Sequence, residues 1–536
     1  MLSQRIRGLA FGACIVSGSL LAAQNIMIGG DDSRQPRAAV KETPESKKAK
    51  ADRDALADAL LTRAYSLTKQ TSDAEKAYIL ARLAEASTKT FPQRSKDWAT
   101  ETFSVTAGLP NDMQRAQNEI SALNALAEND ADAALDLLAK LETPKDRDGQ
   151  PVPDLRNGVT TMLFQRYWQK NGMDGVDKLT AAARQLGESG AYPYMAISML
   201  IRQVKAKNPD KAKDLINEAL AYFNRRQTAG FANDQFAMFL RQNRAEIPTP
   251  LLKDLLEKLV AQAIATKDDP SVQSSMVMAN EKGAAAKLNS AASILMFSLM
   301  PMINDLDPDW AKKLETQYQE LKAAADVARA GEQRVTISRG FNAGGGAPPR
   351  AMMEEMQSME IDDISQRDPQ RALKMNAELT DPSVRAASGA RLAAVIAKSN
   401  PEQADELLKK AKEAIADAKE PADKLRILVG LAQAQAAMND KAAFETTLQS
   451  GYSLGEDLFR KGLDKNPNAP LFTQPGFDAM SRLTMSAVRV DYAATMNRID
   501  AVRSPVLQAL LLITAAEGLD PDARPRPRGM RIRIES

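Results

Sequence analysis

The sequence predicts an all-α protein: an α-α superhelix of stacked helix pairs, in two arrays divided by a Gly-rich loop. Three observations predict it. One kind of helix opening recurs, as "NPDKAKDLI" from Asn208, "DPDWAKKLE" from Asp307 and "NPEQADELL" from Asn400. The apolar residues behind each opening keep a helical spacing. Strand signals are confined to two short runs, "RVTIS" from Arg334 and "RIRIE" from Arg531.

At the amino end, Arg5 and Arg7 precede an apolar run from Leu9 to Ala23. A positive start followed by a short apolar core is the pattern of an export signal, so residues 1–23 read as a signal peptide or an uncleaved N-terminal anchor. Residues 24–55 are polar and highly charged and read as a disordered linker, because they offer little apolar surface to bury. No later run is long enough to span a bilayer; Ala291–Ile303 is short and contains Pro301.

Residues 56–330 form the expected N-terminal array. An opening residue with a side-chain oxygen is followed by Ala four positions on, and by apolar residues at seven or eight. Asp73 leads to Ala77 and Leu80, Asp112 to Ala116 and Ile120, and Asp130 to Ala134 and Leu138. Asn208 leads to Ala212 and Leu215, and Asp307 to Ala311 and Leu314. Asp or Asn at the N-cap accepts a bond from an orphaned backbone N–H, worth about 1 kcal/mol. Pro at the next position wastes no donor and already has helical φ. Alanine near the first turn lets a neighbouring helix come close.

Residues 331–353, "GEQRVTISRGFNAGGGAPPRAMM", concentrate Gly and Pro and are expected to be a loop. The C-terminal array is expected over 354–519, where Asp368 leads to Ala372 and Asn400 to Ala404. Residues 520–536 read as a basic tail. Openings one or two units apart imply a repeat of roughly 30 to 40 residues, the range of helix-turn-helix solenoids. These units and their "NPxxAxxLL" openings resemble the tetratricopeptide-like and related α-solenoid helical-repeat proteins. The likeness lies in the pattern, over much of Ala55–Leu519. It implies a protein-interaction scaffold.

Composition narrows the chemistry. The chain of 536 residues has no histidine and a single cysteine, Cys14. A Ser-His-Asp triad, a His general base and the usual Cys/His zinc site are therefore excluded. Lys+Arg number 71 against Asp+Glu 69, so no global charge favours nucleic acid.

The remaining candidates read as structure. Gly344–Gly346 lacks the Gly-Lys-Ser/Thr ending of a phosphate loop. Glu354–Glu355 and Asp362–Asp363 are adjacent on helices and diverge, so neither forms a ready carboxylate dyad. No Glu-Ser pair is followed by the Gly-Leu-Met-Gln segment of a lytic transglycosylase. Five arginines from Arg524 to Arg533 read as a solvated end.

Four aromatics are candidate partner-binding residues: Tyr167, Trp168, Tyr192 and Tyr194. Tyr and Trp dominate interface hot spots, although at helical spacing they also fill cores.

The expectation is an exported, non-enzymatic scaffold, periplasmic or at the cell surface, binding protein or peptide partners with no cofactor, metal or nucleic acid. Membrane contact would come only through an uncleaved N-terminal segment. The alternative is a carboxylate- or Lys-based envelope enzyme acting on glycans or peptides.

Overall fold

The computed structural model describes residues 44–142, 156–225, 231–266, 274–279, 285–330, 336–341, 350–466 and 471–520. The export segment, Cys14, the Gly344–Gly346 run and the arginine-rich end lie outside them.

Almost every described residue is helical. The chain begins with α1 (Pro44–Leu67), α2 (Asp73–Ser87) and α3 (Pro92–Thr106). Next come α4 (Met113–Asn129), α5 (Ala131–Leu138), α6 (Arg156–Asn171), α7 (Val176–Glu188) and α8 (Tyr194–Lys205). They are followed by α9 (Pro209–Arg225), α10 (Phe231–Gln242), α11 (Thr249–Ala265), α12 (Ala291–Leu306), α13 (Pro308–Gln317) and α14 (Gln319–Ala330). After α11 come the strands β1 (Ser274–Ala279) and β2 (Ala285–Leu288), and after α14 comes β3 (Thr336–Phe341). The last series is α15 (Arg350–Ser365), α16 (Pro369–Glu378), α17 (Pro382–Ile396), α18 (Pro401–Asp417) and α19 (Pro421–Ala437). It closes with α20 (Lys441–Lys465), α21 (Phe477–Val490), α22 (Tyr492–Asp500) and α23 (Pro505–Gly518).

The recurring openings are helix caps. Asp112, Asp130, Asn208, Asp307, Asp368 and Asn400 each accept a bond from the amide three residues on, at 2.9–3.2 Å. Asp73 differs by one position: Ser72 is the cap, in a reciprocal box with Glu75. The alanines four residues behind these openings, from Ala77 to Ala404, are all buried.

The chain forms two compact units, one of α4–α14 with the three strands, the other of α1–α3 with α15–α23. Each is a two-layer stack. In the first, α4, α6, α8, α10, α12 and α14 pack each on the next, and the intervening helices pack on this row. The second repeats the arrangement with α15, α17, α19, α21 and α23 as the close-packed row. This is the all-α solenoid that the repeat pattern predicts.

Three boundaries differ from the sequence expectation. Residues 44–55, read as part of the linker, belong to α1. Their Ala, Lys and Glu content favours a helix once Leu60, Leu61 and Ala64 dock, and Lys50 supports it by pairing with Asp54 at 3.2 Å. The stretch read as a loop over 331–353 contains β3 and the start of α15. Strand β1 pairs antiparallel with both β2 and β3, setting Met276 opposite Leu288 and Arg339. This small sheet packs on α12 and α14 at the end of its unit.

The third difference is α1–α3, which pack with the C-terminal helices rather than heading the N-terminal array. The cause is α23. From Val506 to Ala516 every residue but Gln508 is buried, and a helix apolar all round needs cover on every side. Helices α21 and α22 supply part of it; α1 and α2 supply the rest. Arg82 on α2 seals the join, bonding Glu517 of α23 at 3.0 and 3.2 Å and pairing with Glu85.

Close-packed rows need small side chains. A Cβ on Gly430 of α19 would lie 2.5 Å from the Ala387 carbonyl oxygen of α17, nearer than atoms approach without bonding. Gly455 on α20 meets α21 in the same manner, against the Met480 side chain at 2.4 Å.

Candidate functional site

The four aromatics named from sequence fall into two pairs, and no ring contact joins the pairs among the described residues. Tyr192 stacks on Tyr222 of α9 with ring centres 4.5 Å apart. Tyr194 packs on Phe236 and Phe239 of α10 at 5.0 and 5.8 Å. Both tyrosines are buried, at 4% and 3% exposure. They build the core where α8, α9 and α10 meet and present no free ring to a partner, so that expectation is corrected. Helical spacing decides this, since Tyr194 continues the apolar stripe of Ile197, Leu200, Ile201 and Val204. Burial pushes both phenols well above their ordinary range.

Tyr167 is also buried. Its hydroxyl donates to Asp132 Oδ1 at 3.2 Å, and Lys178 Nζ reaches the same oxygen at 2.7 Å. The Lys178 bond holds the Asp132 carboxyl below its usual range. Trp168 alone is half-exposed, with Lys207 Nζ 5.8 Å from the ring centre. That is cation–π geometry on a helix surface.

One carboxylate of each acidic pair, Glu354 and Asp362, is occupied. Glu354 is buried and accepts from the amides of Thr380 and Asp381 at 3.0 and 2.6 Å, so α15 helps to cap α17. Asp362 holds Arg391 Nε through both oxygens at 2.9 and 3.0 Å, while Arg391 Nη2 donates to Ser358. Among the described residues no group of three or more acidic, Cys or His side chains is placed to hold a metal ion.

A different feature emerges where α18, α19 and α20 meet. Helices α18 and α20 pack on α19, leaving a cleft of about 360 Å³ above it. From α19 come Lys424, Leu428, Leu431 and Gln435, spaced along one helix face. Lys412 and Ile415 of α18 form one wall, and Thr446, Thr447, Ser450 and Leu454 of α20 the other. The floor is apolar, and the charged groups that line the cleft are two ammoniums.

Two polar features of the cleft lack partners. Gln435 is 4% exposed, yet its Oε1 accepts no hydrogen bond. An amide oxygen buried in that condition costs about 1–3 kcal/mol until a donor reaches it. Among the described residues neither Lys412 nor Lys424 pairs with a carboxylate. Glu413 faces Lys409 at 3.9 Å and Asp423 binds Arg426 at 2.8 Å. The volume lies in the range of small-ligand and side-chain pockets. Sequence reading missed this cleft. The available signal was Gln435, a lone amide on the apolar face of "RILVGLAQAQAA".

No protein-family model and no curated protein matches the chain. Among solved structures it is similar to a "Circular tandem repeat protein with novel repeat topology and enhanced subunit contact surfaces". That likeness has 11% identity over 83% of each chain and a TM-score of 0.17, a score that carries no argument about fold or function. The class rests on the helices themselves. Their caps, their two-layer stacking and their alternate-helix packing make the chain a helical-repeat protein of the α-solenoid class.

Proposed function

We propose that this is an exported, non-enzymatic helical-repeat scaffold that binds protein or peptide partners in the cell envelope. One observation carries the binding reading: the α18–α20 cleft joins an apolar floor to an unsatisfied buried acceptor and two unpaired ammoniums. Such a surface gains from an occupant, and stacked helices hold it rigidly. The tetratricopeptide-like cast of the openings supports the same reading by analogy of fold, as does the absence of histidine from the chain. Export rests on Arg5, Arg7 and the apolar run Leu9–Ala23.

The test is photo-crosslinking of the full chain in its own cell envelope, with mass spectrometry of the native N-terminus. Discrete protein adducts and a trimmed or membrane-retained N-terminus support the proposal. A chain that stays in the cytosol, or that yields no adduct at any exposed position, overturns it.

A further inference from the structure

We infer that the α18–α20 cleft is a docking site for an acidic peptide, taking an aliphatic side chain together with a flanking carboxylate. The inference rests on the scaffold reading and names the chemistry of the partner. Three demands of the cleft converge on this occupant. Ile415, Leu428, Leu431 and Leu454 present apolar surface sized for an aliphatic side chain. Among the described residues Lys412 and Lys424 stand at the cleft without a carboxylate partner, and no acidic side chain lines it. Gln435 Oε1, buried and unpartnered, takes a hydrogen bond only from a donor.

An acidic peptide meets all three demands, since its backbone N–H supplies the donor once the enclosed Gln435 amide turns toward the cleft. A fatty acid has the aliphatic chain and the carboxylate but nothing to offer Gln435. A small inorganic anion leaves the leucines in water. The distinguishing residue is therefore Gln435, and the peptide is the occupant that leaves no buried group unsatisfied.

The experiment titrates full-length protein into a fluorescein-labelled peptide, Ser-Glu-Leu-Glu-Ala-amide, and reads anisotropy. The same peptide with both Glu replaced by Gln is the control. The acidic peptide binds saturably and the control about tenfold more weakly, as expected when charge-assisted bonds are lost. Lys412→Glu with Lys424→Glu weakens the acidic peptide about tenfold or more and leaves the control unchanged. Gln435→Leu weakens both peptides severalfold, because each loses the backbone contact. Far-ultraviolet circular dichroism of every variant verifies that the helices persist.

Equal binding of the two peptides, or affinity indifferent to the lysine reversals, overturns the assignment. So does decanoate that displaces the peptide and binds Gln435→Leu as tightly as the parent, which would make the occupant a lipid. Envelope crosslinking separates this failure from that of the scaffold. If the peptide does not bind but parent and lysine variants capture the same partners, only the cleft assignment falls. If neither captures any partner, the scaffold reading falls as well.

Discussion

Gly430→Ala sets two well-measured effects against each other within one substitution. Alanine is the better helix former by about 1 kcal/mol, so propensity alone predicts that α19 gains stability. Packing predicts the reverse. The new Cβ would lie 2.5 Å from the Ala387 carbonyl oxygen, 2.8 Å from its Cα and 3.0 Å from its carbonyl carbon. These are backbone atoms of a packed helix, which cannot swing aside as a side chain does. The shortest contact falls about 0.9 Å below the 3.4 Å at which ordinary contact begins, so α17 and α19 must separate. Overpacking of this kind costs about 1–3 kcal/mol.

Packing therefore wins over most of that range, and Gly430→Ala is destabilising by up to about 2 kcal/mol net of the propensity gain. Gly108→Ala serves as the control, since its Cβ would meet only the Val105 carbonyl oxygen at 3.8 Å. Urea denaturation followed at 222 nm, with hydrogen exchange resolving α17 and α19, reads both variants. Gly430→Ala as stable as the parent, or more stable, would refute the close approach of the two helices.

Two further outcomes follow from the charged clusters. Glu517→Ala leaves the part-buried Arg82 guanidinium with only Glu85, at a cost of up to about 3 kcal/mol, and exposes α1, α2 and α23 to hydrogen exchange; exchange unchanged in those helices contradicts the join. At Asp381, burial opposes ionisation, but bonds from the Ser383 hydroxyl and the amides of Ser383 and Val384 outweigh it and lower the carboxyl pKa. A carboxyl lowered on folding stabilises above its unfolded pKa of about 3.9 and loses that contribution as pH falls through the folded value. The roughly 1–2 kcal/mol by which Asp381→Ala weakens the fold at pH 7 thus shrinks below about pH 4; a gap that does not change down to pH 2 refutes the assignment.

Local signals in the chain were read well because they act within one helix. The oxygen-bearing caps and the alanines behind them need no knowledge of the partner helix, and six of the seven openings sit where the pattern puts them. What failed was non-local. Nothing in α1 announces that it packs on α23, far along the chain; the clue is that α23 has no polar face to spare. Strands β1 and β2 escaped notice because "SSMVMA" and "AAKL" are short and rich in Ala, Ser and Met rather than β-branched residues, so pairing rather than propensity makes them strands. Tyr192 and Tyr194 misled for the opposite reason: the ring that makes a good hot spot also makes a good core. The cleft was invisible because it is bounded by three helices at once, and only Gln435 hinted at it.

The most direct test places a photo-crosslinking amino acid at Ser450, in the cleft wall, and at Ser104, an exposed position on α3. The protein is irradiated in its own envelope with and without excess acidic peptide. The account predicts adducts at Ser450 that the acidic peptide suppresses and its Gln-substituted control does not, with none of this behaviour at Ser104. Adducts that form equally at both positions, or that ignore the peptide, would contradict it.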